Sequence, residues 1–134
     1  MHSYKQLQLL LVFTVLFSVS QGCAQNKNID ESSLLGCWTN SYEESASSTN
    51  EIYRPCEYKK FPPSRFRFSM ALSEGGVCQY FQLSPNDAHG MMDGTWTLDA
   101  ANGTLTIFDG EGNTHTVLIV NSLEKDLLQL KKAE

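Results

Sequence analysis

The chain has 134 residues, of which 41% are hydrophobic, and a formal net charge of −5 at pH 7. This length suits one domain with a small core once a targeting segment is removed. The charge is modest and of mixed sign, with no basic stripe, so the composition argues against nucleic acid as a partner.

The N-terminal residues MHSYKQLQLLLVFTVLFSVSQGCAQ have the organisation of a secretory signal peptide. A positive start at Lys5 precedes an apolar run over residues 9–19, and small residues follow. The run is shorter than the roughly 20 apolar residues of a membrane-spanning helix, which favours a signal over a span or a buried helix. We therefore predict that residues 1–22 are a signal peptide and that the chain is exported.

The end of this segment contains SQGC, which resembles a bacterial lipobox. The resemblance implies that Cys23 becomes the lipidated first residue and anchors the protein to a membrane of the bacterial cell envelope. Ser20 stands where a lipobox usually has leucine. The alternative is ordinary cleavage after Ala24, which would remove Cys23 and release a soluble periplasmic or secreted protein.

Residues 23–33 are polar and are predicted to be a tether, and residues 34–132 are predicted to form the folded domain. Within the domain, RFRFSMAL, GTWTL and GTLTIF have apolar residues at every second position, as half-buried antiparallel strands do. The turn-forming stretches AANG and DGEGN punctuate the strands at intervals of roughly 8–12 residues. We expect an all-β fold of about eight strands that close into a small up-and-down antiparallel barrel, because closure removes exposed edges.

The inward faces of these strands supply candidates for either a packed core or the lining of a ligand cavity. The candidates are Trp38, Phe66, Phe68, Met70, Trp96, Leu98, Leu105 and Ile107. An eight-stranded barrel has an interior just wide enough to be filled or to hold one small ligand. The bulk of these side chains slightly favours a filled interior, whereas an apolar void of about 300 Å³ or more would favour ligand binding.

Three cysteines remain if Cys23 carries lipid. In an oxidising compartment they predict one disulfide and one leftover thiol, with three possible pairings. We predict a bridge between Cys56 and Cys78, with Cys37 as a small buried hydrophobic residue. No pair has the C-x-x-C spacing of a zinc site, so we predict no metal.

Catalytic signatures are absent from the sequence. It contains no G-x-S-x-G elbow, Gly-rich phosphate loop or H-E-x-x-H motif. His89, near Asp87 and Asp93, offers an alternative metal site, and Cys37 would need a histidine partner to act as a nucleophile. A solvated loop histidine is the favoured interpretation, so we predict no catalytic residues and no cofactor.

Several short motifs follow one another in a recognisable order. A Gly-x-Trp opening in LLGCWTNSYEE precedes Cys56-Glu57, RFRF, Cys78, GTWTL, TLTIF and the ending IVNSLEKDLLQL. This order resembles the lipocalin-like domain of small bacterial lipoproteins and covers residues 34–131. The resemblance implies a small β-barrel and export, supports the Cys56–Cys78 pairing and implies no activity.

Together these observations predict a monomeric, non-enzymatic exported lipoprotein whose barrel binds a small apolar ligand at the cell envelope. The alternative is an envelope interaction protein or protease inhibitor that acts through its loops and has a filled barrel. The volume of any apolar cavity discriminates between the two hypotheses.

Overall fold

The computed structural model of the protein describes residues 28–45, 49–86 and 88–134, so the predicted signal peptide and Cys23 lie outside the described residues. Apart from short 3₁₀ turns at Glu31–Leu34 and Glu74–Gly76, the described secondary structure is one short helix and eight strands. These elements are β1 (Gly36–Asn40), α1 (Tyr42–Ser45), β2 (Glu51–Pro55), β3 (Ser69–Leu72), β4 (Val77–Gln82), β5 (Gly90–Asp99), β6 (Thr104–Phe108), β7 (Thr114–Glu124) and β8 (Leu127–Lys132).

The eight strands pair antiparallel in the order β1-β2-β8-β7-β6-β5-β4-β3, and β3 returns to β1 to close the barrel. The predicted all-β class and closed eight-stranded antiparallel barrel are therefore confirmed. From β3 to β8 each strand pairs with the next one in the chain. The order changes at the start, where β1 lies between β2 and β3 instead of at the edge of a simple meander.

The position of β1 requires the chain to cross it between β2 and β3. Residues 56–68 make this crossing and are called the crossover segment below. The side chain of Thr39 faces away from the barrel interior, yet the residue is only 5% exposed, and its hydroxyl hydrogen-bonds to that of Ser69 at 2.8 Å. The Asn40 backbone amide donates to the Phe68 carbonyl at 2.9 Å, so the crossover segment lies against the end of β1.

The interior of the barrel is filled below its open end by apolar side chains from alternate strand positions. The predicted inward residues Trp38, Met70, Trp96, Leu105 and Ile107 are all buried in one core cluster, and Leu98 packs against this cluster from a partly buried position. Strand β3 is shorter than the alternation in RFRFSMAL predicts, because it begins only at Ser69. Phe66 and Phe68 therefore belong to the crossover segment.

The N-terminal turn closes the end of the barrel at which β1 begins. The Asp30 carboxylate accepts a 3.0 Å hydrogen bond from the Ser32 amide and caps the turn. Leu34 is completely buried, and its carbonyl accepts a 2.9 Å hydrogen bond from Trp38 Nε1. Ile29 packs against the core as well. The described part of the predicted tether, residues 28–33, thus lies against the barrel.

The predicted Cys56–Cys78 disulfide is wrong, because Cys56 is bonded to Cys37. These two residues are neighbours across the β1–β2 pair. Their Cα atoms lie 5.4 Å apart, and the Cys56 amide donates to the Cys37 carbonyl at 3.0 Å. Cys37 is exposed, which also corrects its predicted burial. Cys78 faces the interior from β4 as a free, buried thiol, so it points away from the surface on which Cys37 and Cys56 meet.

Candidate functional site

A cavity of about 350 Å³ lies at the end of the barrel opposite the N-terminal turn. Its wall includes Asn40 at the end of β1, Glu51 at the start of β2 and Lys132 at the end of β8. Helix α1 and the crossover segment complete the wall on one side. Because β1 and β8 run toward this end and β2 runs away from it, the cavity occupies the mouth of the barrel.

Five of the eleven residues that line the cavity are aromatic. They are Tyr42, Tyr53, Phe66, Phe68 and Phe81, and Leu83 and Leu118 add aliphatic surface. The rings of Tyr53 and Phe68 meet edge to face, with centroids 6.3 Å apart. Phe66 and Leu83 are about half exposed, at 49% and 51%. They form an apolar rim around the opening, whereas Tyr53 is buried.

Arg67 holds the crossover segment against the end of β1. Its guanidinium donates to the Asn40 carbonyl at 2.6 Å and to the Pro62 carbonyl at 3.0 Å, and it forms a 2.7 Å ion pair with Glu43 of α1. Tyr42, also on α1, donates a hydrogen bond from its hydroxyl to the Phe66 carbonyl. These bonds fix the backbone on both sides of Phe66 and place its ring at the cavity.

Three polar side chains, those of Asn40, Glu51 and Tyr53, lie together in the cavity wall as a polar chain. The Tyr53 hydroxyl donates to Glu51 Oε2 at 2.7 Å, and the Asn40 amide acts on the same hydroxyl as a donor that favours a lower Tyr53 pKa. Burial, reinforced by the Glu51 carboxylate, raises the pKa of Tyr53 well above its ordinary value, so the phenol keeps its proton. That proton is used by Glu51, so the hydroxyl oxygen must accept from Asn40 Nδ2.

This arrangement leaves Asn40 Oδ1 as the unpaired atom of the chain. Asn40 is 2% exposed, and no described group hydrogen-bonds to its Oδ1. Buried polar atoms in folded proteins almost always have a partner. An unpaired acceptor on a residue that lines a cavity is therefore a candidate partner for a ligand donor.

His89 lies beside the apolar rim. Its Nδ1 accepts a hydrogen bond from the Ser84 amide at 3.1 Å, and its ring contacts Phe66 and Phe81 at centroid distances of 5.7 and 6.2 Å. Asp87, a predicted alternative metal ligand, lies outside the described residues. Among residues 28–45, 49–86 and 88–134, no cluster of three metal-ligating side chains occurs. None of the helices described is long and apolar enough to cross a membrane.

The structure divides the predicted interior residues into two groups. Phe66 and Phe68 line the cavity, whereas the other six lie in or against the core below it. The predicted list omitted the polar chain of Asn40, Glu51 and Tyr53. Alternation in EIYRP already places Glu51 and Tyr53 on one face of a strand, which is the signal that would have found them.

A second depression of about 350 Å³ lies at the closed end, between residues 28–33 and the end of β7. It is more open to solvent and less apolar than the cavity at the mouth.

Comparison of the chain with protein-family models, curated proteins and solved structures found no match.

Proposed function

We propose that the protein is a non-enzymatic, lipocalin-like barrel that binds one small apolar ligand in the cavity at its mouth. The cavity is the main observation that supports this proposal. Its volume of about 350 Å³ falls within the range of roughly 300–1,000 Å³ for small-molecule sites, which are mostly apolar with a few placed polar groups. The aromatic wall and the chain of Asn40, Glu51 and Tyr53 have this composition.

We further propose that the protein is exported and is held at the bacterial cell envelope by lipid on Cys23. The signal-like segment and the SQGC stretch support this location. An anchored, monomeric barrel would present its mouth to solvent near a membrane, where apolar molecules are concentrated.

Exposed apolar side chains on β5 and just after β4 favour a second candidate function, in which the protein binds another protein. Leu83, Met91 and Met92 are each about half exposed, at 51%, 45% and 49%. Exposed apolar surface of this kind is typical of interaction sites. The core below the cavity is filled, as an inhibitor or interaction protein would require.

A fluorescent apolar probe, N-phenyl-1-naphthylamine, tests ligand binding directly. We expect saturable binding with one site per chain. Phe66→Asp, which places a charge on the half-exposed rim, should weaken binding at least tenfold. Val77→Asp is the matched control, because Val77 is similarly exposed at 55% but does not line the cavity.

Failure of the probe to saturate would contradict the proposed function. Equal weakening by Phe66→Asp and Val77→Asp would place the probe somewhere other than the cavity and would contradict it too. Circular dichroism of both variants checks that the barrel stays folded.

A further inference from the structure

We infer that the ligand of the cavity presents a hydrogen-bond donor, an O–H or N–H group, to Asn40 Oδ1. The cavity would accordingly select alcohols and amines over carboxylates with the same hydrocarbon chain. This inference rests on the proposed function, because it concerns the same cavity and names the chemistry of its ligand.

The first step is the unpaired state of Asn40 Oδ1. The residue is 2% exposed, it lines the cavity, and its Oδ1 has no hydrogen-bond partner among the described residues. A buried acceptor without a partner lowers the stability of the folded protein. A ligand donor placed at this oxygen removes that penalty, so binding is favoured for molecules that carry one.

The second step is the orientation of the Asn40 amide. Amide oxygen and nitrogen can be exchanged by a flip of the side chain, and their identity follows from the surrounding hydrogen bonds. Glu51 accepts the only proton of the Tyr53 hydroxyl at 2.7 Å. Tyr53 can therefore only accept from Asn40, which assigns the nitrogen to Tyr53 and leaves the oxygen unpaired.

The third step is the charge around the cavity. The Glu51 carboxylate lies in its wall, two residues along the strand from Tyr53. A ligand carboxylate would face both this anion and the unpaired oxygen of Asn40. The cation in the wall, Lys132, is exposed at the rim, where water and salt screen its charge. Donor groups are thus favoured over acceptor groups beside Asn40 and Glu51.

Displacement of bound N-phenyl-1-naphthylamine by 1-octanol, octylamine and octanoate at pH 7 tests the inference. The three competitors share a chain length and differ in the polar end. We expect octanol and octylamine to displace the probe at concentrations at least tenfold lower than octanoate. A result in which octanoate competes as well as the other two, or none competes while the probe binds, would overturn the inference and leave apolar binding intact.

Absence of probe binding would instead contradict the proposed function, so the two failures are distinguishable. Asn40→Leu, which keeps the size and removes the acceptor, should reduce the octanol-to-octanoate preference to less than threefold. Asn40→Asp keeps an acceptor, adds charge and should shift the preference further toward octylamine. If Asn40→Leu does not fold, the shift expected for Asn40→Asp tests the inference in its place.

Thr116→Val is the matched control, because Thr116 lines the same cavity and loses only its hydroxyl. Its preference for octanol over octanoate should equal that of the unaltered protein. An equal loss of preference in Thr116→Val and Asn40→Leu would show that general polarity, not the Asn40 acceptor, sets the selectivity, and would overturn the inference.

Discussion

Tyr53 donates a 2.7 Å hydrogen bond to Glu51, two residues earlier on the same strand and on the same wall of an aromatic cavity. Residues at i and i+2 of a strand face the same side, so β2 presents this pair inward without any loop. Because this bond uses the only proton of the phenol, the Tyr53 hydroxyl can act toward Asn40 only as an acceptor. A rigid strand thus defines the polar chemistry of the site.

Replacing Tyr53 by phenylalanine should destabilise the protein and loosen its ligand preference. The variant loses the 2.7 Å hydrogen bond from the Tyr53 hydroxyl to Glu51, and a hydrogen bond to a charged group contributes about 1.5–3 kcal/mol. We expect a lower urea midpoint and a smaller ratio between octanol and octanoate affinities. Glu51→Gln is the control for stability, because glutamine still accepts from the Tyr53 hydroxyl, and its urea midpoint should fall less. An equal fall in the urea midpoint of both variants would argue against a stabilising role for the Tyr53–Glu51 hydrogen bond.

The Cys37–Cys56 disulfide should stabilise the fold measurably. The bridge joins residues separated by 19 positions, and the chain-entropy treatment assigns a loop of this length roughly 3 kcal/mol. Reducing agent should lower the free energy of unfolding of the unaltered protein and of Cys78→Ala, but leave that of the Cys37→Ser/Cys56→Ser double variant unchanged. Peptide mapping without reduction should recover linked Cys37 and Cys56 peptides; a linked Cys56–Cys78 pair would refute the assignment.

Gly94 should not tolerate a side chain. A Cβ at this position of β5 would lie 2.2 Å from the Phe108 carbonyl oxygen and 2.9 Å from Tyr80 Cε1. The first of these contacts is with backbone, so relief requires strand movement, and we expect Gly94→Ala to cost at least about 1–3 kcal/mol. Gly90→Ala on the same strand has nothing within 4 Å of the new atom. Its urea midpoint should match that of the unaltered protein, and similar losses in both would be contrary to this account.

Acid should weaken the attachment of α1. Hydrogen bonding to Arg54 and other partners lowers the pKa of Glu44 from 4.5 to about 2. Glu44 and Arg54 also form a 2.6 Å ion pair. Because the folded pKa is the lower one, the stabilisation is complete above pH 4.5 and is lost as the pH falls toward 2. Glu44 is partly exposed, so the loss should be under about 1 kcal/mol.

Urea unfolding at pH 6 and pH 3 measures this effect. Glu44→Gln should show a smaller difference between the two pH values than the unaltered protein. Glu111→Gln, an exposed glutamate in the turn between β6 and β7, is the control and should keep the full difference. If Glu44→Gln loses as much stability between pH 6 and pH 3 as the unaltered protein does, the Glu44–Arg54 ion pair does not explain the acid sensitivity.

The processed N-terminus should begin at Cys23 and carry lipid. We expect intact-mass spectrometry of the full chain, expressed in a bacterial host and extracted from membranes, to show a chain starting at Cys23 plus acyl groups. Cys23→Ala should move the protein to the soluble fraction. A mature mass that begins at Gln25 would identify ordinary cleavage after Ala24 instead.

Sequence patterns predicted the part of the barrel that is built from local hairpins. GTWTL and GTLTIF alternate and are joined by the turn-forming AANG; GTWTL lies within β5, and β6 is the TLTIF part of GTLTIF. The insertion of β1 between β2 and β3 depends on contacts between distant segments, for which alternation contains no signal. The wrong disulfide follows from this, because only the β1–β2 pairing brings Cys37 beside Cys56.

The cavity was predicted less completely than the core. Phe66 and Phe68 were predicted as interior or ligand-lining residues, and both line the cavity, but alternation does not distinguish the centre of a barrel from its mouth. Asn40 ends an otherwise apolar face. Its role follows only from the fold, which places Tyr53 and Glu51 beside it in the cavity wall. A polar residue at the end of an inward strand face is the sequence signal for such a site.

The pairing of β2 with β8 has a consequence for how the chain folds. These strands come from opposite ends of the domain, so the barrel closes only through contacts of very large sequence separation. Such topologies fold slowly, because loop entropy is lost before the distant contact forms. Until β8 arrives, β2 has one open edge, and open edges recruit other chains. Early formation of the Cys37–Cys56 bond would keep β2 in register with β1 during this interval, which makes oxidation a safeguard against aggregation as well as a source of stability.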